Sequence, residues 1–245
     1  MIDSLDKQSY FLSSRNNAYN LIFIFPMVVL YEGMILVFRN SSDSVPSYFR
    51  NGVDVLLRTF FDEFGVYGSL VYILFILIIL VYVVAKNFSV ITEGKINFNF
   101  LVYMLVESVL LASIFSYIVM SLSEMVSLDK SFNSVSSFEL FYLSLGAGIW
   151  EELLFRFFLV GFIIHILNRL ILTSIPISVI IAIIVSSFLF AVFHYLGPYA
   201  EEFSNYTFVI RYAGGIFLGM IYYLRGIGIA VYTHIFYDLA ICLSL

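Results

Sequence analysis

The sequence predicts an all-α protein, a polytopic transmembrane helical bundle of about seven spans with one amphipathic helix lying at the membrane interface. Three observations carry that prediction. The 245 residues are 62% hydrophobic and only 12% charged, against about 25% charged in an ordinary soluble domain. Mean hydropathy is +1.01. Several apolar stretches also reach the roughly 20 residues that a helix needs to cross a bilayer. The net charge of −5 is spread along the chain and offers no basic surface to nucleic acid. A single cysteine, Cys242, excludes an internal disulfide framework.

Taken in order, Met1–Asn20 mixes Asp3, Asp6, Lys7 and Arg15 with polar residues and lacks the order of a cleavable signal peptide. The first span, about Tyr19–Phe38, then serves as the insertion signal, with Pro26 as a kink and Glu32 as an intramembrane carboxylate. Within Tyr48–Phe64, Val53, Leu56, Leu57, Phe60, Phe61 and Phe64 recur at helical spacing, while Arg50, Asp54, Arg58 and Asp62 recur on the other side. That pattern predicts the interfacial helix. The second span, Val66–Ala85, is almost wholly aliphatic, and the third, Phe100–Leu122, contains Glu107. The fourth runs from about Phe138 to Leu167, the fifth from Ile175 to Leu196, the sixth from Phe208 to Leu224 and the seventh to Leu245. Gly214, Gly215 and Gly219 in the sixth permit close helix approach. No internal repeat or linker is visible, so the chain reads as one unit: N-terminal helices over 1–137 and a C-terminal core over 138–245. Lys and Arg lean slightly toward a cytoplasmic N-terminus.

The chemistry is concentrated in the second half. Glu151, Glu152 and Arg156 lie inside the fourth span, where charged side chains need protein or water partners. At α-helical spacing Glu152 and Arg156 are i,i+4 and share a face, which makes Arg156 the counter-ion of Glu152. Glu151 is offset by about 100° on such a helix and has no cation on its own helix, which leaves it free for chemistry. His194 closes the fifth span, and His234 and Asp238 share a face of the seventh. A glutamate, two histidines and an aspartate on three spans can position a water, take its proton and stabilise an oxyanion. A lone histidine near a helix end is ordinarily an interfacial tip, which is the reading for His165, and Glu32 and Glu107 read as structural or cavity-lining. Phe155, Phe190 and Tyr237 read as packing residues. Six polar groups inside apolar runs, however, point to one site rather than six accidents.

Three motifs stand in order on successive apolar segments: Glu-Glu-x-x-x-Arg at Glu151–Arg156, Phe-x-x-x-His at Phe190–His194 and His-x-x-x-Asp at His234–Asp238. Together they resemble the CPBP intramembrane proteases, which include the type II CAAX prenyl endopeptidases and the bacteriocin-processing or immunity-associated (ABI) relatives. The resemblance covers about Phe138–Leu245. It implies an intramembrane endopeptidase acting on a membrane-associated, prenylated or peptide-precursor substrate. Carried over by position, Glu151 would activate the water, His194 would hold or polarise it, and His234 with Asp238 would stabilise the oxyanion. Glu152 and Arg156 would brace the site, with Phe190 packed beside it. Asp238 stands where many members have Asn, and an ionised aspartate accepts hydrogen bonds only. The simplest role for it is then to accept a hydrogen bond from His234.

No cofactor is favoured. Zinc remains an alternative, because Glu151, His194 and His234 could fill three tetrahedral positions around it and leave water in the fourth. Two other functions compete with proteolysis. One is a catalytically silent scaffold or immunity-type binding protein; the other is a proton-coupled transporter, to which Glu32 and Glu107 would contribute. The expected partners are membrane lipids and a peptide or lipidated protein. The expected location is a multi-pass position in a prokaryotic cell membrane. The sequence does not select a substrate or an oligomeric state.

Overall fold

In a computed structural model the described residues are 10–41, 50–63, 65, 96–123, 137–170, 174–197 and 200–244, with a few helical positions between 71 and 88. Among them the chain is built from helices alone. They are α1 (Tyr10–Ser13), α2 (Asn17–Ser41), α3 (Gly52–Asp62), α4 (Phe98–Ser123), α5 (Ser137–Gly146), a π-helix (Ala147–Val160), α6 (Gly161–Leu170), α7 (Ile175–Phe193), α8 (Asn205–Arg225) and α9 (Ile227–Ser244).

Four helical stretches are long and apolar enough to cross a membrane: Phe98–Ser121, Phe138–Leu170, Ile175–Phe193 and Asn205–Arg225. Ile227–Ile241 is a shorter apolar helix. The protein is therefore a polytopic helical membrane protein. These four do not amount to the expected seven. The first expected span is present as α2, which continues through Pro26. The second, 66–85, falls largely outside the described residues, as does the side chain of Cys242.

The core is organised around α9, which touches α2, α4, α5, the π-helix and α8. Ile229, Ala230 and Val231 are wholly buried there. Close approach rests on glycine. A Cβ on Gly148 would sit 2.4 Å from Ile235 Cγ1 and 2.9 Å from the Val231 carbonyl. A Cβ on Gly215 would sit 2.8 Å from Ser187 Cβ of α7. The α8–α9 turn places Gly226 at φ +98°, a backbone region open to glycine and strained for other residues. Asn20 of α2 accepts the Gly228 amide at 2.7 Å.

The expected amphipathic helix is present as α3. Its charged stripe faces the protein except at the exposed Asp62, and part of its apolar stripe faces outward. Asp54 is wholly buried, while Leu56 and Phe60 are about half exposed. Asp54 accepts hydrogen bonds from Tyr31 at 2.9 Å, Tyr72 at 3.1 Å and Arg58 at 2.7 Å, and also from Arg50. Arg58 also pairs with Glu32 of α2 at 3.1 Å. Periodicity reveals two faces, but in a membrane protein the polar face is as readily the inner one, since lipid cannot satisfy its charges. Asn51 caps this helix, its Oδ1 accepting the Val53 amide at 2.9 Å.

Glu107 of α4 is likewise paired. Arg225 donates to it through Nε at 2.6 Å and through Nη2 at 2.9 Å, and Tyr10 adds a further hydrogen bond. Both carboxylates that pointed to a transport path thus sit in ion pairs joining helices.

Candidate active site

The fourth expected span differs from an α-helix where its chemistry lies. Residues Ala147–Val160 wind as a π-helix, a rare form that recurs at functional sites. It carries Glu151 and Glu152, 6% and 0% exposed, and Arg156, 1% exposed. The Glu152–Arg156 ion pair expected from α-helical spacing forms at 3.0 Å despite the wider turn. Arg156 also lies over the Phe190 ring, 4.4 Å from its centroid.

Glu152 has a second partner that spacing within one helix could not reveal. Its Oε1 lies 2.8 Å from His234 Nδ1 on α9. A carboxylate accepts only, so Nδ1 carries the hydrogen and Nε2 is left to face the rest of the site. Around Nε2 stand Asp238 Oδ2 at 3.6 Å and Glu151 Oε2 at 3.9 Å. The hydrogen bond expected between Asp238 and His234 is therefore replaced, at Nδ1, by one to Glu152. Asp238 instead flanks the open nitrogen.

His194 stands at the C-terminal end of α7, its Nδ1 2.9 Å from the Phe190 carbonyl. That carbonyl can only accept, so in the neutral ring the lone pair is on Nε2. Glu151, Arg211 and Glu201 lie close enough to act on His194 electrostatically. Phe190 sits between the two imidazoles, 5.0 Å from the His194 ring and 6.1 Å from that of His234, and meets Phe155 edge to face at 5.4 Å. The predicted residues thus gather on three elements, the π-helix, α7 and α9. His165 is exposed on α6.

Glu151 is not free, as had been expected. Asn51 Nδ2 donates to its Oε1 at 2.7 Å in a buried hydrogen bond. Asn51 lies 100 residues upstream. Its sequence signal, an Asn opening a helix, identifies a cap and says nothing of the carboxylate. Among the described residues no group of three His, Cys, Asp or Glu side chains is arranged to hold a metal ion.

These features define a membrane-embedded helical bundle with a buried carboxylate–histidine cluster. Residues 133–240 match the family model described as Rce1-like, "Type II CAAX prenyl endopeptidase Rce1-like". Over that segment the chain is similar to the CPBP intramembrane proteases, and the match supports that family. It matches no curated protein and no solved structure.

Proposed function

We propose that the protein is a metal-independent intramembrane endopeptidase that hydrolyses a peptide bond of a membrane-held, prenylated or peptide-precursor substrate. The observation that carries this reading is the pairing of Glu151 Oε2 with the open Nε2 of His234 across 3.9 Å. That distance is too long for a direct hydrogen bond, and a water or a substrate oxygen can stand between the two groups.

In this reading Glu151 takes a proton from water as the water oxygen bonds to the scissile carbonyl carbon. His194 Nε2, left with its lone pair by the Phe190 carbonyl, accepts a hydrogen bond from the water's other O–H, which stays on the oxygen, and orients the attack. The carbonyl becomes an oxyanion, toward which His234 Nε2 donates in its imidazolium form. The C–N bond then breaks, Glu151 returns its proton to the leaving nitrogen, and a carboxylic acid and an amine are released. Glu152 and Arg156 hold His234 in place, while Asp238 adds negative charge beside Nε2. No step passes through zinc, and Glu32 and Glu107 are held by Arg58 and Arg225.

The test is cleavage of a panel of quenched fluorescent peptides, including farnesylated CAAX peptides, by the full chain in detergent. Glu151→Ala should lower kcat by about 10²–10⁴-fold and His234→Ala by about 10²–10³-fold. Wild-type activity should persist in a zinc chelator. Full cleavage by Glu151→Ala would sink the reading. Loss under chelator with recovery on added zinc would replace it with a metal mechanism.

A further inference from the structure

We infer that Asn51 is a positioning residue for the site: its amide fixes the carboxylate of Glu151 so that one oxygen is spent on Asn51 and the other is presented to His234. The residue belongs to the N-terminal part of the chain, outside the segment 133–240 that matches the family model. The inference rests on Glu151 being the base.

Both ends of the Asn51 amide are committed. Oδ1 accepts the Val53 amide at the start of α3, and Nδ2 donates to Glu151 Oε1 at 2.7 Å. Since a backbone N–H can only donate, the cap fixes which end of the amide is oxygen, and the NH2 group must then point at the carboxylate. Asn51 is only 9% exposed, so water does not compete for that donor. With Oε1 held, Oε2 is the oxygen left within 3.9 Å of His234 Nε2.

The backbone around Asn51 is shaped to admit it. A Cβ on Gly146, the residue before the π-helix, would sit 2.9 Å from Asn51 Cβ and 2.8 Å from the Tyr31 ring. Helix α3 is itself pinned by the buried Asp54, so the donor is mounted on a rigid support. A group held in this way keeps a reactive carboxylate in one rotamer, and errors of an ångström at a reacting group carry large rate penalties.

The cap and the donor can be separated. Asn51→Ser keeps a good N-cap oxygen and removes the donor. Asn51→Asp keeps the cap and sets a second acceptor against Glu151. With a farnesylated CAAX peptide as the probe, Asn51→Ser should lower kcat about tenfold, equivalent to about 1.4 kcal/mol. Its KM should stay within about twofold, while its unfolding temperature should fall, because the buried Oε1 of Glu151 loses its donor. Asn51→Asp should be slower still. Wild-type kcat in Asn51→Ser, or recovery of both kcat and stability in Asn51→Asp, would overturn the inference and leave Asn51 as a cap alone.

A second measurement needs no cleavage: unfolding of Asn51→Ser, Glu151→Ala and the double variant in detergent. Non-additive shifts support the contact, and additive ones overturn it. Should Glu151→Ala keep its activity while the cycle is non-additive, the role of Glu151 as base fails and that of Asn51 as its positioner fails with it. Should Glu151→Ala be dead and Asn51→Ser fully active, only the inference about Asn51 fails.

Discussion

Glu152 serves two masters. It neutralises Arg156 at 3.0 Å and holds His234 Nδ1 at 2.8 Å, with all three side chains withdrawn from solvent. Breaking such a buried pair from one side leaves an uncompensated charge, whereas replacing both partners with apolar groups is often neutral. Glu152→Ala should therefore reduce stability by about 3–5 kcal/mol, measured by unfolding in detergent. The pair Glu152→Leu with Arg156→Met should restore most of that stability without restoring cleavage, because His234 stays unanchored. The sequence carried half of this arrangement. Spacing linked Glu152 to Arg156 within one helix, but the bond to His234 crosses 82 residues and depends on how two helices dock. The same limit hid Asn51. A residue type and its neighbours reveal a cap, while its second hydrogen bond is settled only by tertiary packing.

The elements themselves were largely legible, since long apolar runs specify helices wherever water is absent. The winding of one of them was not. No residue in Ala147–Val160 announces a π-helix, and the α-helical arithmetic that separated Glu151 from Glu152 describes a turn the chain does not make there. The face that α3 turns inward was equally hidden, because hydrophobic spacing does not name the medium on either side. Packing at the level of helices is testable through glycine. Gly148→Ala would drive a Cβ into Ile235 and the α9 backbone, and should lower stability by about 1–3 kcal/mol, the usual toll of overpacking. Gly161, where an added Cβ meets nothing within 4 Å, is the control. Gly161→Ala should be neutral or stabilising by up to about 1 kcal/mol, from helix propensity. Equal losses in both variants would mean that α9 does not press against the π-helix as described.

Across the whole molecule, the matched segment supplies the histidines and the glutamates, and the N-terminal helices supply the frame. That frame meets the site through α3, whose one end bonds Glu151 and whose middle is fastened by Asp54. Asp54→Ala strips a common partner from Arg50, Arg58, Tyr31 and Tyr72. It should reduce stability by about 3–5 kcal/mol, as for other broken buried pairs, and should lower kcat as well through the displaced Asn51. A variant that loses stability but keeps full kcat, in the folded fraction below its transition, would separate the frame from the site.

The inward-facing charges at α3 also tie its place in the bundle to α2. Arg50, Asp54 and Arg58 together carry one positive charge in excess, and Glu32 of α2 supplies the missing negative one through Arg58 and Arg50. Leaving the translocon, α3 by itself would bring unbalanced charge toward lipid. Once α2 is seated, the four groups sum to zero and the helix can settle. Because α2 is synthesised first, its receptor is waiting when α3 emerges. Seating α3, and with it Asn51 beside Glu151, therefore depends on α2.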